Sequence, residues 1–334
     1  MVLINAGTLQ TSEALDYTNE HEWTRMNPET RISEEQIERL CQKHAISFEA
    51  SKRVTIGFSN EVHIISSEVV VKFYLPQGRR YETELAVLKQ PTRFHKPRVI
   101  AHGEANDIID RAYIFMSRIP GVPLGHVWHE LSNDQRKPLI QQYIDAQKEI
   151  AAIRPEVFNF KTNASWFEIL MADAKEETNK LLEASIISEQ ESMQAIAFIE
   201  RLKNELNTDH LYPVFWDVHL DNLLVDDRGK LTGIIDFEHV KYASLDYPLF
   251  ALRRLVTDPA KFATEENEKY AKTEDYQHMW SWYQQYYPEM FEFENLEERI
   301  KVYQLLDCLR LLEEWSHNQE LVDRFRSLIS QAVL

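Results

Sequence analysis

Cysteine is nearly absent from this chain of 334 residues: Cys41 and Cys308 are its only two, and they stand far apart. With no CxxC pair and no Cys/His spacing, they exclude a disulfide framework and a cysteine-based metal site, and they fit a reducing compartment. Long apolar runs are missing too, and no stretch reaches the length needed to span a bilayer. The N-terminal MVLINAGTLQTSEALDYTNEHEW lacks the basic segment and apolar core of a secretory signal. A soluble, cytoplasmic protein is therefore expected. Positive charge is also scarce: 37 Lys and Arg face 54 Asp and Glu, a formal net charge of −17. That balance disfavours nucleic acid and anionic membrane as partners and suits a cationic one, although an acidic surface is also an ordinary aid to solubility.

The chain is longer than one hydrophobic core usually supports, so two lobes are expected. Residues 1–30 show no clear period and read as an extension. Ser33 and Gln36 fit a capping box ahead of Ile37, Leu40 and Cys41 at helical spacing. RVTIGFSNEVHIIS and EVVVKFYL then predict two strands around a turn at Gly57–Glu61 and a third strand after it. YETELAVLKQ resumes helical spacing, and AYIFMSRIPG reads as a strand closed by Pro120-Gly121. Downstream, Ser132 is expected to cap a helix to about Ile153, with further helices from SWFEILMADAKEETNKLL and EQESMQAIAFIERLKNEL. The hairpin LLV-DDRG-KLTGII is the only later strand signal. The expected class is α+β, with a small β-rich lobe over 31–118 and a larger, mainly helical lobe over 119–334, joined at a hinge near Pro120.

The hairpin carries the chemistry. In FWDVHLDNLLVDDRGKLTGIIDFE, Asp217 is followed five residues later by Asn222, and Asp236 closes the second strand. An aspartate able to take a hydroxyl proton, beside a carboxamide and a carboxylate that offer hard oxygens to Mg²⁺, is equipment for phosphoryl transfer. DxxxxN alone is common; with the two apolar strands, the turn and Asp-Phe after it, the pattern is specific. Lys72 lies in the apolar strand VVVKF, and a carboxylate on the following helix would fix its ammonium against phosphates. Glu82 and Glu84 compete for that place, and Glu84 is preferred from the face that Leu85 and Leu88 mark. Ser59 and the backbone of Gly57–Glu61 sit where a loop would cover phosphates, although the turn lacks GxGxxG and equally suits an ordinary hairpin.

Taken in order, GFSN, VVVK, the helix glutamate, MSRIPG, DVHLDN and IIDFE over about 34–256 resemble the aminoglycoside phosphotransferase and choline-kinase-like family, which has the protein-kinase fold. The resemblance implies a small-molecule kinase using ATP or GTP with Mg²⁺ on a hydroxylated acceptor. It makes Asp217 catalytic, Lys72 and Glu84 the nucleotide ion pair, Phe115, Met116, Ser117 and Arg118 the strand that meets the base, and Asn222 and Asp236 the metal ligands. The family usually has His-Gly before the catalytic aspartate, where this chain has Phe215-Trp216. An aromatic can brace that loop by packing, whereas an indole in place of glycine opens the alternative of a catalytically silent nucleotide-binding scaffold. No activation segment of the protein-kinase kind follows Asp236, which favours a small acceptor over a protein. The acidic stretch 257–300 suits a cationic acceptor or a solvated face. Its aromatic run, Trp280 to Tyr287, reads as core, and His219 as a group bracing the loop.

Overall fold

Ser33 starts the first helix as its spacing predicts: Ser33 Oγ accepts from Gln36 N at 3.2 Å, and Gln36 Oε1 accepts from Ser33 N at 3.0 Å. Helix Glu34–Lys43 then buries Ile37, Leu40 and Cys41. The computed structural model describes residues 31–54, 60–75, 80–160, 164–264 and 266–330. The expected extension 1–30 and the turn residues Gly57 to Ser59 lie outside these.

The described residues form two compact units. The first runs to Leu139 and also contains 220–239 and 264–267. Its centre is an antiparallel sheet in the order β1-β2-β3-β5-β4, with β1 Lys52–Val54, β2 Glu61–Ile64, β3 Val69–Phe73, β4 Val99–Gly103 and β5 Tyr113–Ser117. Alternation along β3 and β5 decides what each face carries. Val71, Phe73, Tyr113 and Phe115 join Ile37, Leu40 and Cys41 in one apolar cluster. Lys72, paired with Ile114 of β5, points to the other face, where helix Arg80–Lys89 buries Glu84. Beyond the Pro120-Gly121 turn, β6 (Val122–Pro123) pairs with β8 (Leu223–Val225), which pairs with β9 (Leu231–Ile234). Gly121 has φ +135°, a conformation that only glycine adopts readily, and an added Cβ would sit 2.7 Å from the Val225 carbonyl.

The second unit is mainly helical. Helices Trp166–Glu183 and Glu189–Arg201 each begin with a capping box, from Ser165 and Ser188. Ser132, in the first unit, stands directly before its helix as expected, its carbonyl accepting from Arg136 N at 2.9 Å and its N–H donating to Gln135 Oε1 at 2.9 Å. Its hydroxyl donates to Gln135 Oε1 at 3.0 Å, and the helix spans Asn133–Ala151. The hairpin is not the only later sheet: β7 (Tyr212–Phe215) pairs antiparallel with β10 (Val240–Ala243). These strands escape sequence patterning because each is four residues long and β7 contains Pro213, which normally argues against a strand. The aromatic run lies largely in the core, with Trp282, Tyr283 and Tyr287 buried. No helix among the described residues is long and apolar enough to cross a membrane.

A buried ion pair ties this unit together. Asp246, wholly buried, accepts from Arg299 Nε at 2.7 Å, from Arg299 Nη2 at 2.8 Å, from Ser244 Oγ at 2.6 Å and from Tyr303 OH at 2.9 Å. Asp246→Ala leaves the Arg299 guanidinium without its carboxylate in a dry site and is expected to cost about 3–5 kcal/mol. Urea unfolding measures this; a loss below about 1 kcal/mol, the scale of a surface pair, would contradict it.

Candidate active site

Lys72 is the point on which the first unit's polar groups converge. Its Nζ lies 2.7 Å from Glu84 Oε2, 2.7 Å from Asp236 Oδ1 and 2.9 Å from Glu238 Oε2. Helix Arg80–Lys89 supplies Glu84, and the turn leaving β9 supplies Asp236 and Glu238. Glu84 and Glu238 are held by further donors. Tyr74 OH donates to Glu84 Oε2 at 2.7 Å and Phe237 N to Glu84 Oε1 at 3.3 Å. Asn60 Nδ2 donates to Glu238 Oε2, and Arg80 Nη1 lies 3.3 Å from Glu238 Oε1. Glu82, the competing partner for Lys72, is exposed on the same helix.

The electrostatics follow from burial. Desolvation alone would lower the Lys72 pKa, but the fields of Asp236, Glu84 and Glu238 outweigh it and hold the ammonium well above the usual lysine range. Burial raises Glu84 and Glu238, with Lys72 offsetting only part of the cost. At Asp236 burial also acts upward, yet Lys72 and His239 win and its pKa falls. Asp236 is thus the carboxylate whose charged form its surroundings favour, and its side chain is 38% exposed where those of Glu84 and Glu238 are each 2% exposed. Its φ of +65° is a left-handed conformation that aspartate tolerates better than most residues.

Asn222 sits just before β8, its carbonyl accepting from Ile235 N at 2.9 Å. The residue is 7% exposed, and its Nδ2 has no hydrogen-bond partner among the described residues. One carboxylate oxygen from each of Glu84, Asp236 and Glu238 lies within 4.8 Å of the others, a hard-oxygen donor set that suits Mg²⁺. Sequence patterning did not single out Glu238, Asn60 or Arg80. The signal for the first two was present, as the second acid of IIDFE and the last residue of GFSN.

Ser59 lies outside the described residues. Phe115 and Met116 are buried in β5, which pairs with β3 on one side and β4 on the other. Ser117 N donates to Arg98 O at 2.9 Å and Arg118 N to Glu68 O at 2.8 Å, so these two N–H groups are used inside the sheet region.

Asp217 belongs to the second unit. It follows β7, its Oδ1 accepts from His219 N at 3.0 Å, and its carbonyl accepts from Tyr143 OH. His219 therefore braces the loop through its main chain, while its ring rests on Phe262 with centroids 4.8 Å apart. Phe215 is 1% exposed, packs edge-on to Tyr143, and gives its carbonyl to Gln147 Nε2 at 3.1 Å. Trp216 packs on Tyr247 and Phe250, with centroids 6.2 and 5.7 Å away. Its φ is not positive, so the position demands no glycine conformation.

A family model described as the phosphotransferase enzyme family, APH, matches residues 51–285. A comparison with curated protein sequences finds no match. Among solved structures, the chain is similar to a GDP complex of wild-type aminoglycoside 2'-phosphotransferase-IIIa, with TM-score 0.59, 14% identity, and 89% of this chain and 97% of that one covered. A thermostable mutant of aminoglycoside phosphotransferase APH(4)-Ia in its apo form gives TM-score 0.60 at 14% identity, covering 90% and 97%. A streptomycin–ATP–APH(2")-IIa ternary complex gives 0.61 at 18%, covering 84% and 90%. At these identities the likeness shows the protein-kinase-like fold.

Trp216→Gly removes the indole from Tyr247 and Phe250 and adds backbone freedom to the unfolded chain. The expected destabilisation is about 2–3 kcal/mol, below a fully buried Trp truncation because Trp216 is half-buried. Urea unfolding beside Trp216→Phe checks it. The Phe variant should retain most of the stability, and a Gly variant as stable as the wild type would refute the packing role.

Proposed function

Because the chain belongs to the phosphotransferase enzyme family, we propose that it is a small-molecule kinase that moves the γ-phosphoryl group of ATP or GTP to a hydroxyl of a small, cationic acceptor such as an aminoglycoside-like compound or an amino alcohol. The observation that carries this is Lys72 held between Glu84 and Asp236, a cation aimed by one carboxylate and tied to another that reaches solvent. The neighbours described with GDP, and with ATP and streptomycin, support a nucleotide and a small acceptor for this chain as well.

In this proposal Lys72 engages the nucleotide phosphates while Glu84 fixes its ammonium, and Ser59 with its loop donates to the phosphates. The strand Phe115 to Arg118 meets the base through main-chain groups other than the N–H groups of Ser117 and Arg118. Asn222 and Asp236 would hold Mg²⁺, which supplies charge neutralisation on the phosphates when bound with the nucleotide. Asp217, anchored through its carbonyl by Tyr143 and through its carboxylate by the His219 amide, presents its second carboxylate oxygen to the acceptor hydroxyl and takes its proton as the hydroxyl attacks. Residues 31–118 serve as the nucleotide lobe and 119–334 as the lobe that receives the acceptor.

Asp217→Asn keeps shape and removes the proton-accepting charge. Transfer to aminoglycosides, macrolides and amino alcohols, followed by nucleotide consumption, should fall by a factor on the order of 10²–10⁴, while calorimetry shows Mg²⁺-nucleotide affinity barely changed. Equal turnover in variant and wild type would remove Asp217 from catalysis. A wild type that binds nucleotide and transfers to none of these acceptors would favour the silent scaffold.

A further inference from the structure

We propose that the Lys72 ammonium is the protein's own stand-in for the divalent cation, so that metal is admitted only as nucleotide phosphates draw Lys72 away from Asp236 and Glu238. The proposal rests on the nucleotide and metal reading given above.

The geometry behind it is the sharing of oxygens. Lys72 Nζ takes one oxygen from each of Glu84, Asp236 and Glu238 at 2.7, 2.7 and 2.9 Å. A single oxygen from each of these carboxylates also falls within the 4.8 Å span that one metal ion can bridge. At Asp236 and Glu238 an ammonium and a divalent cation compete for the same hard donors, and both cannot be satisfied there. With Glu84 and Glu238 almost wholly buried, the empty cluster would hold uncompensated negative charge, which the internal ammonium relieves.

Glu84 and Glu238 do not depend on Lys72 alone for their placement. Tyr74 OH and Phe237 N fix Glu84, while Asn60 Nδ2 and Arg80 fix Glu238. Taking the ammonium away leaves the Glu84 and Glu238 oxygens aimed at the place it vacates. A metal ion arriving alone must displace Lys72 from partners it cannot replace. Arriving with phosphates, it finds Lys72 offered new anions, with Glu84 still holding the ammonium's other side. Metal and nucleotide therefore favour each other's binding, and by linkage the effect is reciprocal.

The test is calorimetric titration of the full chain with Mn²⁺ alone. Lys72→Met should bind Mn²⁺ at least about tenfold more tightly than the wild type, the low end of coupling between close charge pairs. Its denaturation midpoint should rise with Mn²⁺ more than the wild type's does. Lys72→Arg keeps the cation and should stay close to the wild type. Lys72→Gln, which retains a donor for Glu84, gives the same comparison from its denaturation midpoint if the Met variant folds poorly. Neutral variants that bind Mn²⁺ no better than the wild type would overturn the proposal. If the wild type still binds Mg²⁺-nucleotide in that case, the function reading stands without it. A wild type with no Mg²⁺-nucleotide binding would overturn the function reading itself.

Discussion

Lys72 occupies the middle strand of an antiparallel sheet, on the face covered by helix Arg80–Lys89, where its ammonium has almost no access to water. A charge in that position must be met by opposite charge or be lost to the neutral form. The fold meets it with Glu84 from the helix and with Asp236 and Glu238 from the turn after β9. One electrostatic requirement thus brings a hairpin onto a strand and a helix that lie more than a hundred residues earlier in the sequence. Asn60 and Arg80 join through Glu238, and Tyr74 through Glu84. A lysine suits phosphates and hard carboxylate oxygens suit a divalent cation, so the groups that satisfy the buried ammonium are also the ones proposed to receive the nucleotide.

The second unit solves a different problem. The loop carrying Asp217 is held by main-chain anchors: the carbonyls of Phe215 and Asp217 accept from Gln147 and Tyr143, and the His219 amide caps the Asp217 carboxylate. Side-chain packing completes the support, Phe215 against Tyr143 and Trp216 against Tyr247 and Phe250. Where the resembled family has His-Gly, this chain uses two aromatics in backbone conformations that accept them. Tyr247 directly follows Asp246, so the indole leans on the segment fixed by the buried Arg299 pair.

Much of this was legible in the sequence because each key residue contradicts its surroundings. A lysine inside VVVKF, a glutamate on the inward face of a helix and an aspartate ending an apolar strand all ask for partners, and together with DxxxxN they pointed to the family. What remained hidden depended on long-range pairing. Glu238 looked like one more acid in an acidic chain until Asn60, Lys72 and Arg80 converged on it. The β7 and β10 strands were too short, and Pro213 too discouraging, for their pairing to be foreseen. Nor does any pattern reveal that the N–H groups of Ser117 and Arg118 already donate to Arg98 and Glu68 carbonyls.

The central claim is that this chain transfers a phosphoryl group to a hydroxyl. Phosphorus NMR of the wild-type protein with Mg²⁺, ATP or GTP and one hydroxylated amine at a time reads that directly. The account predicts loss of the γ-phosphate resonance and growth of a phosphomonoester resonance, with neither change when Mg²⁺ is chelated. Nucleotide that is bound with Mg²⁺ yet yields only inorganic phosphate, or nothing, across the amines would contradict it.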